Sequence, residues 1–101
     1  MQIKKAYEEV PVCDTAFVDG AATQVKTGAG VVHWITATNS NAASQQFELN
    51  DATSAHGGDI MIFDVPLGGN IHCVFNPAIP FATGIRIGVC HANINVLVGY
   101  A

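Results

Sequence analysis

The stretch VKTGAGVVHWITAT, residues 25–38, decides the fold. Its Gly-Ala-Gly could cradle a phosphate only if a helix came next, because stacked backbone N–H groups and the helix dipole hold the anion. The glycines lead instead into Val31, Val32, His33, Trp34, Ile35, Thr36, Ala37 and Thr38. Such a run is rich in β-branched and aromatic residues, which lose rotamer freedom in a helix and pack well on a pleated sheet. No Lys-Ser or Lys-Thr pair succeeds the second glycine, so the Walker spacing is absent. The segment reads as a turn that launches a strand, with Gly28 and Gly30 expected to supply positive φ.

Outward from this strand, turn signals recur at short intervals: 27–30, 39–41, 50–51, 56–59, 67–70, 76–77 and 92–93. Between them lie strand candidates at 30–38, 45–49, 60–65, 70–75, 85–90 and 94–100. Turn-to-turn spacing of ~8–12 residues is the signature of a sandwich or barrel. The last candidate alternates most cleanly, with Ile94, Val96, Val98 and Tyr100 on one face and Asn93, Asn95, Leu97 and Gly99 on the other. Ala92-Asn93 is expected to fold this strand back antiparallel on 84–90 as a closing hairpin. The run 60–65 is apolar on both faces except at Asp64, which suggests a central strand covered by the opposite sheet and by a neighbouring chain or the N-terminal arm. Residues 1–22 show no sustained period of 2 or 3.6 and read as an irregular arm carrying at most one short strand. The expected fold is all-β: an antiparallel β-sandwich of Greek-key or jelly-roll type over residues 23–101, preceded by that arm.

Composition narrows the function. The chain has 101 residues, of which 50% are hydrophobic and 12% charged, whereas a soluble domain usually carries about 25% charged residues. A domain this small cannot hide so much apolar material unless part of its surface meets another chain, so a homo-oligomer or an assembly component is expected. Four Lys and Arg against eight Asp and Glu give a net charge of −4. No basic face can form to neutralise a row of phosphates, so nucleic acid is not an expected partner. No run approaches the ~18 apolar residues of a membrane helix, and MQIKKAYEEVPVCD lacks the apolar core of a secretory signal. The chain is expected to be made in the cytoplasm, with no membrane partner.

Chemistry-bearing constellations are sparse. Cys13, Cys73 and Cys90 show no disulfide-scaffold spacing, and free thiols are the expectation. His72-Cys73 and Cys90-His91 look like halves of a zinc site, but neighbours in a strand point to opposite faces, so each pair offers one ligand to any point. Two core thiols and two rim imidazoles are expected instead, with no metal and no cofactor. A hydrolase built on Cys73 or Cys90 lacks a helix to seat the nucleophile, and the turn acids Glu48, Asp51, Asp59 and Asp64 suit backbone-bonding roles better than paired general acid and base. The chain is not expected to be an enzyme. Trp34, the single tryptophan, either fills the core beside Val32 and Thr36 or faces outward as an aromatic anchor, with the core favoured. Partner contacts are assigned to Lys4, Lys5, Tyr7 and Phe17 of the arm and to Trp34.

Four segments carry a family resemblance: Val25-Lys26-Thr27-Gly28-Ala29-Gly30-Val31-Val32-His33, Phe47-Glu48-Leu49-Asn50-Asp51-Ala52-Thr53-Ser54, Phe81-Ala82-Thr83-Gly84-Ile85-Arg86-Ile87, and Asn93-Ile94-Asn95-Val96 running to Gly99-Tyr100. In this order they resemble small virion proteins of tailed bacteriophages, over about residues 25–100. The resemblance implies a β-sandwich located on the virion, of the capsid cement or decoration type, which stabilises the head by bridging neighbouring major capsid subunits. Implied partners are the major capsid protein and further copies of the chain, a trimer being one arrangement. The alternative within the same resemblance is a tail or receptor-binding fibre component with a carbohydrate-binding surface.

Overall fold

Alternating apolar residues can be buried on one side only, so each ribbon of this chain needs a second layer to cover it. The computed structural model, which describes residues 13–54 and 58–101, provides that layer with eight strands and, among those residues, no helix. They are β1 (Asp14–Asp19), β2 (Thr23–Thr27), β3 (Gly30–Asn39), β4 (Gln45–Asp51), β5 (Asp59–Val65), β6 (Asn70–Phe81), β7 (Gly84–Gly88) and β8 (Ile94–Tyr100). One sheet has the order β1-β8-β3-β6 and the other β2-β7-β4-β5. The antiparallel pairs 1 with 8, 2 with 7, 3 with 6 and 4 with 5 are those of one long ribbon folded on itself. Pairs 3 with 8 and 4 with 7 then close the two layers. This is the jelly-roll arrangement of the antiparallel β-sandwich.

The inward face of each strand meets the other sheet. Val18, Val32, Ile35, Ala37, Ile94, Val96 and Val98 from the first sheet pack with Phe47, Leu49, Phe63, Val65, Ile85 and Ile87 from the second. Phe47 and Phe63, opposite one another on β4 and β5, stack with ring centroids 4.9 Å apart. Full burial of each such side chain is worth about 1.5–3 kcal/mol against leaving it exposed.

Several expectations are corrected. The 84–90 and 94–100 strands do not form a hairpin: β7 pairs with β2 and β4 in one sheet, and β8 with β1 and β3 in the other. Ile85 and Ile87 therefore face Ile94, Val96 and Val98 across the core, which buries all five. The chain crosses between layers at Val89, whose φ of 46° is rare for a β-branched residue. β5 is the edge strand of its sheet, not a central one, since a continuous apolar run reports what a strand could bury and not what lies beside it. Asn76-Pro77, expected as a turn, lies within β6, where residues 75–78 loop out of register against the single residue His33. Gly28 has φ 92° at the turn before β3, but Gly30 does not share the positive φ expected of it. Gly30 opens β3, where a Cβ would collide with the Ala101 carbonyl. The body also begins before residue 23. Residues 14–19, assigned to the arm, form β1 and pair along the whole of β8 from Asp14↔Tyr100 to Asp19↔Asn95.

One acid fastens the turn between β6 and β7. The Asp51 carboxylate accepts backbone N–H bonds from Ala82 (3.0 Å), Thr83 (2.8 Å) and Gly84 (3.2 Å). The Ala82 bond, then the Thr83 bond, hold its pKa below the ordinary carboxylate value. A lowered folded pKa gives stability that is present above the unfolded pKa, about 4, and lost as pH falls through the folded value. Asp51→Asn should therefore flatten the acid limb of a plot of Tm against pH. A variant as acid-sensitive as the wild type would show that Asp51 carries none of that limb.

Candidate functional site

The outer face of the β1-β8-β3-β6 sheet is where two of the residues singled out from the sequence meet. A β-bulge at His33 places Val32 and Ile35 both inward, so the residue between His33 and Ile35 turns out. Trp34 is thus half-buried on the outer face, and the expectation of a core position is corrected. Simple alternation through Val32, Trp34 and Thr36 would have put it inside; the extra residue reverses the parity. Its indole lies over Gly99, the cross-strand partner, where any Cβ would collide with the ring. Glycine is needed here for its missing side chain.

Phe17 on β1 is 63% exposed and lies opposite Leu97 of β8. Leu97 is opposite Thr36, whose hydroxyl hydrogen-bonds to Nδ1 of His72. The adjacent row runs through Gly99 and Trp34 to Val74 of β6, 67% exposed. Phe17 and Trp34, 17 residues apart in sequence, therefore share one face, two strand spacings across and one same-face row along, roughly 12 Å apart. Phe17, Leu97, Trp34 and Val74 form its apolar centre, and Asp19, Asn95, Thr38 and Asn70 form a polar row at one end. Sequence reasoning misses Leu97 and Val74, although their signal is present: each is apolar at a position alternating with core residues. Lys4, Lys5 and Tyr7 lie outside the described residues.

Elsewhere on the surface lies an open groove of about 580 Å³ lined in part by Gln45, Gln46, Asp64, Val89, Cys90 and His91. Its thiol is held toward the protonated form. Burial pushes the Cys90 pKa up, and Sγ makes long contacts to the backbone carbonyls of Ile94 (3.6 Å) and His91 (3.8 Å). A protonated, carbonyl-bonded thiol has little thiolate character. Nδ1 of His91 accepts the backbone N–H of Asn93 at 3.2 Å, which ties that nitrogen to the turn. Cys73 is part-buried against the core from β6 and His72 is exposed. Among the described residues no three His, Cys, Asp or Glu side chains come together as a metal site, and no helix is long and apolar enough to cross a membrane.

Compared with protein-family models, curated proteins and solved structures, the chain matches none of them. What its own geometry offers is an outer sheet face with an apolar centre and a polar row at one end, and an open groove of mixed polar and apolar lining beside a part-buried thiol.

Proposed function

We propose that this chain is a structural protein of a tailed-bacteriophage virion, a non-catalytic capsid cement subunit that binds the head surface and bridges neighbouring major capsid subunits. The observation that carries the reading is the contiguous outer face of Phe17, Leu97, Trp34 and Val74, in a chain with 12% charged residues. An apolar patch with a polar rim marks a contact with another protein. The order of the four resembling segments supports the virion setting, and the jelly roll is a fold used in viral capsid and lectin domains, which is support by analogy. Many copies on a regular shell would multiply weak individual contacts.

The test uses heads stripped of this chain. They should lose heat and salt resistance and regain both on addition of wild-type protein, but not of the double variant Phe17→Glu, Val74→Glu. Both positions are exposed, so the variant should keep its fold by circular dichroism. Stripped heads of undiminished resistance, or full rescue by the variant, would reject the cement role. A tail or receptor-binding role is favoured by one feature, the half-buried Trp34 indole on the surface, a platform for a sugar ring. Glycan binding abolished by Trp34→Ala, with resistance of the heads unaffected, would move the protein there.

A further inference from the structure

Strand β5 reads DIMIFDV and is the outermost strand of its sheet. Among the described residues β4 is its one hydrogen-bonded neighbour, and no described strand pairs with the N–H and C=O groups of the opposite backbone edge. Such edges template pairing with another chain unless they are blunted by Lys, Pro, bulges or inward charges. Here a bulge at Ile60 stands at one end and Asp64 at the other, with no Lys or Pro between them. Ile60, Met61 and Ile62 are 41%, 37% and 56% exposed. Met61 is the most telling of the three. It lies opposite Leu49, which is fully buried, so it is on the core side of the sheet and still uncovered.

We infer that β5 is where a second copy of this chain adds, antiparallel, across a two-fold axis at Ile62, joining two four-stranded sheets into one of eight strands. This deepens the homo-oligomer expected from the composition and needs no shell protein. The occupant is set by register and charge. With the axis at Ile62, that residue meets its own copy, Met61 lies opposite Phe63 of the second chain, and Ile60 lies opposite Asp64. Apolar cross-strand pairs form on both faces, and the exposed Met61 gains an aromatic neighbour. The two Asp64 carboxylates then stand four residue steps apart, roughly 14 Å along the strands, beyond the screening length of about 8 Å at physiological salt. In-register parallel pairing would instead set Asp64 against Asp64. The partner surface is self-complementary, as a two-fold contact requires.

Two short strands bury less than the ~1,200 Å² of a standard stable interface, so the free dimer is weak. Sedimentation equilibrium of the purified full chain, over about 1 µM to 1 mM, should show a monomer–dimer equilibrium. Ile62→Lys and Ile62→Glu each place like charges on the axis and should weaken it at least about tenfold. An equimolar mixture of the two should restore dimer, because Lys then faces Glu. Ile62 is exposed, and unchanged circular dichroism confirms that each variant is folded. A wild type that stays monomeric to 1 mM, a trimer, dimerisation indifferent to either substitution, or a mixture no better than its components would overturn the inference. None of these results bears on the resistance of phage heads, so the two readings fail separately.

Discussion

Phe47→Ala lowers the unfolding free energy by about 3–5 kcal/mol, the largest effect expected of any single substitution in this chain. Phe47 is fully buried in the middle of β4, and its ring stacks on Phe63 at an interplanar angle of 14°. Truncation removes the transfer free energy of the ring and leaves a cavity that two hydrogen-bonded sheets cannot close by collapsing. Domains of this size have about 5–15 kcal/mol in total, so the variant would be near the threshold of folding. Urea unfolding followed by far-ultraviolet circular dichroism measures the loss. Phe47→Leu, which keeps most of the volume, should cost less than about 1.5 kcal/mol. A loss below about 1 kcal/mol for the alanine variant, on the order of a surface substitution, would mean that the two layers do not close over this ring.

The second large effect is polar. Asn39, 3% exposed at the end of β3, donates from Nδ2 to the carbonyls of Ala43 and Val65, both at 3.0 Å, and accepts the Asn41 N–H at 2.8 Å. One amide thereby joins β3, the turn after it and the end of β5. Asn39→Ala strands the Val65 carbonyl in the interior and frees the turn, at a cost of about 2–4 kcal/mol. Asn39→Asp keeps the shape but turns two donor contacts into repulsion between oxygens. Protonation would give that carboxyl one donor back, so its folded pKa rises and the variant should gain stability as pH falls. Denaturant midpoints at neutral and acid pH distinguish the two variants. A neutral effect of the alanine would remove Asn39 as the joint between these segments.

Much of the fold is legible along the chain. Six of the eight strands overlap the apolar runs at 30–38, 45–49, 60–65, 70–75, 85–90 and 94–100, although β6 continues to Phe81 and β7 stops at Gly88, since most of these runs alternate and turn residues separate them. Ile94, Val96 and Val98 share one face by that alternation and are fully buried. β1 and β2 escape a reading by period. β1 has Ala16 and Val18 alone on its inner face, and β2 reads TQVKT with a register shift between Gln24 and Lys26, so neither carries a sustained repeat. The candidate surface is half legible. Phe17 and Trp34 each stand out as contact residues, but only the pairing of β1 with β8 and β8 with β3 sets them on one face.

By itself the sequence determined the all-β class, most of the strands and most of the side chains that need a second layer, because burial along a ribbon obeys a local two-residue period. Tertiary structure alone decided which strands are neighbours, that Trp34 faces out and that β5 ends its sheet. Those outcomes depend on residues far apart in the chain and on a single extra residue at His33, which reverses the parity of everything beyond it without altering the apolar pattern.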